Sequence, residues 1–220
     1  MPVSVKEKLF NHNHKDRLVI ALDGPSASGK GHIGRLLAGK FGLEYVESSR
    51  VYRGLAYLCL QRSIKEADLH EIIELSKENV LNLCRNVDLQ HEEIGQMASK
   101  VSIIPEVRKN LTKGLVSTIA STHRIIMEGR DIASVVAPEA DIKIFITADV
   151  NIRAERRYKQ LRAAGKECML ADILDALVER DQRDSNRKVA PLKAMPDSIV
   201  VDTSELSPEE VVEYIIDSID

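Results

Sequence analysis

The chain has 220 residues, 44% of them hydrophobic and 30% charged, and a net charge of −3. This length suits one α/β domain with a small insertion and supports a core without disulfide or metal staples. The composition excludes a disordered chain and a polycation built to coat nucleic acid, so an anionic ligand needs a local arginine cluster.

Met1 to Asp16 reads as a flexible polar extension without the apolar middle of a signal peptide, and no apolar run reaches transmembrane length. Cys59, Cys84 and Cys168 are widely spaced and odd in number. Neither a disulfide framework nor a protein-held metal site is expected, and a reducing cytoplasm is the default compartment. A monomer that contacts neither membrane nor nucleic acid is the expectation.

Leu18 to Asp23, LVIALD, reads as a buried strand ending at Gly24-Pro25. Gly24-Pro25-Ser26-Ala27-Ser28-Gly29-Lys30 fits G-x-x-x-x-G-K between that strand and a helix. Glycines there let backbone N–H groups approach phosphate oxygens, the helix N-terminus adds positive potential, and Lys30 can reach the β- and γ-phosphates. Gly31 and His32 follow where Ser or Thr commonly meets magnesium. A histidine could bond a phosphate or simply cap the turn.

The helix carries Ile33, Leu36, Leu37 and Phe41 on one face and can end at Gly42. A strand near Leu43 to Val46 precedes a helix bearing Val51, Leu55 and Leu58. Residues from about Lys65 to Ser102 are polar, helical or irregular, and mark an insertion. Pro105 opens a helix to about Ser121. Arg124 to Glu128 and Ile142 to Thr147 read as strands, and a basic helix lies between Asp149 and Gly165. A further helix runs from about Met169 to Arg187, followed by a last strand at Ser198 to Asp202. Ser207-Pro208-Glu209-Glu210 opens the final helix with a capping box. Strands alternating with helices predict an α/β fold with a mostly parallel sheet covered on both faces.

Arg180, Arg183, Asp184 and Arg187 share one helical face, and Arg153, Arg156 and Arg157 do the same on the preceding helix. Guanidinium forks on both helices, about 150–187, could form a lid over a polyphosphate. The alternative is a solvated helix laced by Arg180–Asp184 pairs worth a few tenths of a kcal/mol each.

Several segments together resemble the bacterial cytidylate kinases. They are IALDGPSASGKG at the loop, Ser48 to Arg53, SKVSIIPEVR at Ser99 to Arg108, EGRDIASVVAPEA at Glu128 to Ala140, and ERDQRDSNRKVAPL at Glu179 to Leu192. The similarity runs from Arg17 onward in the family's order. It implies a P-loop nucleoside monophosphate kinase fold, with a five-stranded parallel sheet, an acceptor-binding insertion and a lid. It further implies transfer of the γ-phosphate of ATP, with Mg2+ on the nucleotide, to CMP or dCMP.

By the same resemblance, Arg53, Arg130 and Arg187 hold the acceptor phosphate, with Ser48 in the same pocket. Arg180 and Asp184 meet the sugar, and Ser102, Arg108 and Asp131 read the base. Gly24 to His32, Arg156 and Arg157 bind ATP. Lys30, Arg130, Arg180, Arg183 and Arg187 form the catalytic set. Cytosine offers an amino donor beside two acceptors, which a carboxylate and a guanidinium complement, whereas uracil faces the carboxylate with an acceptor. No general base is required, because transfer to an anionic phosphate is largely positioning and charge stabilisation.

Three departures from the family stand out: His32, the pair Ser49-Arg50 ahead of Tyr52-Arg53, and a short stretch from Asn86 to Ser99. Two rival readings remain at this point. One is a P-loop kinase for another small acceptor, such as dephospho-coenzyme A or shikimate. The other is a nucleotide-binding module without turnover.

Overall fold

A computed structural model describes residues 4–11, 16–84 and 86–219. Its centre is a five-stranded parallel sheet with strands β1 Leu18–Asp23, β2 Glu44–Glu47, β3 Arg124–Gly129, β4 Ile142–Thr147 and β5 Ile199–Asp202, in the order β2-β3-β1-β4-β5. β1 lies between β3 and β4 and is buried along its whole length, which explains its unbroken apolar sequence. The chain divides into two compact units, one formed by Met1–Val46 with Thr122–Asp220 and the other by Glu47–Ser121.

In the first unit, α2 Lys30–Phe41 and α10 Pro208–Asp217 pack on one face of the sheet. Ile33, Leu37 and Phe41 join Leu18, Ile20 and Leu22 of β1 and Val211 and Ile215 of α10 in one core. The predicted capping box is present: Ser207 Oγ accepts from the Glu210 amide and Glu210 accepts from the Ser207 amide. Gly42 closes α2 at φ 61°, a left-handed position that suits glycine. α8 Val150–Ala163 and α9 Leu170–Asn186 form a hairpin around Ala154, Ile173 and Leu177, with Ala27 of the phosphate loop packed against that cluster.

The N-terminal expectation needs correction over the described residues. α1 Val5–Phe10 is a real helix, capped by Ser4 and Glu7. Leu9 is buried in the sheet core and Phe10 meets Phe41 edge-on at 5.4 Å. Arg124 donates to the carbonyls of Lys8, Leu9 and Phe41, and Lys8 pairs with Asp141 at 2.8 Å. Tertiary partners hold a helix too short to persist alone. His12 to Lys15 lie outside the described residues.

The second unit is helical: α3 Ser49–Gln61, α4 Leu69–Leu75, α5 Val80–Leu83, α6 Glu92–Val101 and α7 Pro105–Ser121. It is wider than the expected insertion from 65 to 102, because α3 packs on α4, α5 and α6, and α7 on α4. Gly54 permits that approach, since a Cβ there would lie 2.6 Å from Val80 Cγ1. All three cysteines are free thiols, with Cys59 and Cys84 buried.

Candidate active site

The loop from Gly24 to Lys30 has the backbone its sequence demands. Gly24 sits at φ 148°, and a Cβ there would come within 1.9 Å of the Ile146 carbonyl oxygen on β4. Gly29 takes φ 93° as it opens α2, and Ala27 is held at φ 60°, where an L-residue is strained. The Lys30 ammonium is folded back into the loop, donating to the Pro25 carbonyl at 2.6 Å and approaching Ser28 Oγ at 3.4 Å.

Lys30 is buried, and its surroundings are electrostatically mixed. Burial, then the Arg130 guanidinium, push its pKa down from 10.5 to about 7, while Glu128 and Asp23 oppose the shift. Asp23 closes β1 with both carboxylate oxygens engaged: Oδ1 accepts from the Ile132 amide at 2.9 Å and Oδ2 from the Ala133 amide at 2.8 Å. Burial nevertheless dominates and raises its pKa from 3.8 to about 6. Glu128, at the end of β3, has a buried Oε2 that no donor among the described residues satisfies, lying 3.3 Å from where a Cβ on Gly31 would sit.

A second cluster gathers on Asp184 of α9. Its carboxylate accepts from Arg130 Nε at 3.2 Å and lies 3.9 Å from Arg180 Nε and 4.0 Å from Arg187 Nη1. Arg187 Nη2 is also 3.5 Å from Asp131 Oδ1, and Arg187 Nε donates to the Ala190 carbonyl. Two buried carboxylates therefore orient three guanidinium groups, leaving an excess of positive charge suited to a phosphate. Arg183, expected on the same face, makes a more exposed pair with Glu179 at 3.9 Å.

Of the second arginine stripe, Arg156 is anchored to Thr203, through Oγ1 at 3.0 Å and the carbonyl at 2.6 Å. Thr203 Oγ1 in turn lies 3.2 Å from the Ser28 carbonyl oxygen of the phosphate loop. Arg153, buried and absent from the expected ATP-binding set, ties three elements together. It donates to the carbonyls of Ala148 and Ser26 and pairs with Asp181 at 2.6 Å. Arg157 is half-buried. The His32 ring is exposed and makes no hydrogen bond among the described residues, while its backbone N–H joins the first turn of α2.

The remaining expected residues lie in the second unit. Ser102 ends α6 and Arg108 sits on α7; Arg108 Nη1 donates to the Ser102 carbonyl at 3.1 Å, and its guanidinium lies 5.4 Å over the Tyr52 ring. Ser102 Oγ donates to Ser99 O at 2.8 Å. Arg53 Nη1 donates to the Leu89 carbonyl at 2.7 Å, and Ser48 is buried where α3 begins. Ser49 Oγ bonds the Glu47 carboxylate at 2.5 Å. Sequence reasoning did not single out Asp23, Glu128 or Tyr52, and it read Arg153 only as part of the lid stripe. The first two are the polar ends of apolar strands, and that placement is the signal that could have found them.

Comparison with known proteins identifies the family. The family model described as "Cytidylate kinase" matches residues 20–220. The cytidylate kinase of Rickettsia felis is 54% identical over 213 residues, covering 97% of this chain and 95% of the relative. That of Rickettsia bellii is 56% identical over 198 residues, 90% of each chain. Among solved structures, a gluconokinase from Sinorhizobium meliloti superposes with a TM-score of 0.52 at 14% identity, covering 91% of this chain and 90% of that one. An uncharacterized protein from Eubacterium ventriosum gives 0.54 at 13% identity, covering 92% and 97%. At such identities the solved structures support the fold alone. With a phosphate loop around a buried lysine, three arginines gathered on Asp184, a family model over residues 20–220 and relatives matching almost end to end, the chain belongs to the cytidylate kinase family.

Proposed function

We propose that this protein transfers the γ-phosphate of ATP to CMP or dCMP, giving ADP and CDP or dCDP. The observation that carries the reading is one unit holding both a buried Lys30 in its phosphate loop and the Arg130, Arg180 and Arg187 guanidinium groups ordered by Asp184 and Asp131. The loop amides and Lys30 bind the triphosphate, and Lys30 follows the charge of the moving phosphoryl group. The arginines neutralise the acceptor phosphate and hold it in line, where positioning supplies most of the rate. Arg53 and Ser48 are the second unit's candidates for binding the acceptor. Ser102, Arg108 and Asp131 discriminate cytosine from uracil by hydrogen bonding, a preference of roughly 1–3 kcal/mol for one unmatched group.

The residues fit magnesium held mainly by the nucleotide. No group of three or more metal-ligating side chains occurs among the described residues. The unsatisfied Glu128 Oε2 is the hard oxygen that a hydrated magnesium ion accepts as a neighbour. When bound, the ion would neutralise charge on the β- and γ-phosphates, with Glu128 as the side chain that steadies it. No helix among the described residues is long and apolar enough to cross a membrane, and we place the protein in the cytoplasm as a monomer.

A coupled ADP-release assay with CMP, dCMP, UMP and AMP tests the activity. CMP and dCMP should be turned over well and UMP poorly. Equal rates for UMP and CMP would remove the base-reading assignment, and ATP binding without turnover on any acceptor would overturn the kinase reading.

A further inference from the structure

We propose that Asp23 is a positioning residue: it fixes the segment Arg130–Asp131, on the acceptor side, to the strand that carries the phosphate loop. The inference rests on the activity proposed above and goes beyond it, because Asp23 touches neither substrate in that account.

Asp23 is the last residue of β1, directly before Gly24, and only 1% of its surface is exposed. Its backbone is in register with Gly129 of β3 on one side and Phe145 of β4 on the other. It cannot slide, because Gly24 lies against the Ile146 carbonyl so closely that no Cβ fits. Its side chain then reaches past Arg130 and Asp131 to accept from the amides of Ile132 and Ala133.

Those amides open the π-helical turn Ile132–Val136, whose own N-cap, Asp131, supplies no side-chain cap. A carboxylate from the neighbouring strand therefore performs the capping. One residue holds Gly129 through the sheet and Ile132 through its side chain, so the two residues between have both ends pinned. From that frame Arg130 reaches Asp184 and Asp131 reaches Arg187. Asp131 does not cap its own turn, and its carboxylate is turned to Arg187 instead. The arrangement also accounts for a costly feature: a carboxylate kept in a buried place where its ionised form is disfavoured, with Lys30 and Asp131 the ionisable groups acting on it.

Asp23→Asn tests the proposal. The variant keeps the shape but offers one acceptor oxygen and turns an NH2 toward the second amide. Calorimetric titration with CMP and with ATP should show CMP affinity falling at least about tenfold while ATP affinity stays within about threefold, and KM for CMP should rise in parallel. Equal loss for both ligands, or loss confined to ATP, would overturn the role.

Should the variant not fold, NMR of the wild type decides. The amide signals of Ile132 and Ala133 should move together with the titration of the Asp23 carboxyl, and amides that stay flat through that transition would refute the contact. Wild-type protein that fails to phosphorylate CMP would sink the activity, whereas the NMR readout judges Asp23 independently.

Discussion

Replacing Lys30 with Met separates what the lysine does for folding from what it does for transfer. The wild-type ammonium is buried and its pKa is lowered from 10.5 to about 7. Between those values the unfolded chain binds a proton that the folded chain has released, so wild-type stability rises with pH across that window. The cost of burying the cation is greatest below about pH 7 and disappears above about pH 10.5. With about 1.36 kcal/mol per pH unit, the ligand-free wild type should gain roughly 2–3 kcal/mol relative to Lys30→Met between about pH 6 and pH 9.

Urea unfolding of both proteins without nucleotide, at several pH values, measures that difference. In the same variant kcat should fall at least about 10²-fold, because a donor aimed at developing charge is gone. A stability difference that stays constant from about pH 6 to pH 9 would show that Lys30 is not desolvated and would refute the reasoning. ATP brings negative charge to the ammonium and should raise its pKa again. Binding near pH 8 should therefore take up a proton, seen as a buffer-dependent enthalpy in the wild type and absent from the variant.

Three further outcomes are expected. Gly24→Ala forces a Cβ against the Ile146 carbonyl and a φ of 148° on an L-residue, and should cost about 3 kcal/mol or more by thermal or urea unfolding; a loss below about 1 kcal/mol would mean the loop relaxes freely. Asp184→Asn leaves Arg130, Arg180 and Arg187 without their shared carboxylate and should destabilise the ligand-free protein by about 3–5 kcal/mol, so a near-neutral urea midpoint would show that solvent screens the cluster. Asp131→Ala should lower CMP use more than ATP binding in parallel kinetic and calorimetric assays, and an equal loss would mark the residue as structural.

How much was legible beforehand depends on whether a feature is local. Four of the five strands showed as apolar runs, while β2, EYVE, was placed only as a strand near Leu43 to Val46, and the capping box at Ser207 and Glu210 lay within four residues. The same local pattern, Ser4 with Glu7, was present at the N-terminus but went unread. Few apolar positions followed it, and the helix depends on Leu9, Phe10 and their distant partners Arg124 and Phe41. Arg180, Asp184 and Arg187 converge as their helical spacing predicts, whereas Arg183, on the same stripe, pairs with Glu179. Spacing fixes the angle of a residue around a helix but not which neighbour it meets.

The sequence by itself determined the phosphate loop, the order of strands and helices, and the family, because these depend on residue type, spacing and continuous patterns. Tertiary structure alone decided that Lys30 is buried and poised near neutrality, that Asp184 is the hub of three guanidinium groups, and that Asp23 holds a turn 109 residues away. Burial and charge proximity are properties of the packed chain, and no window of sequence contains them.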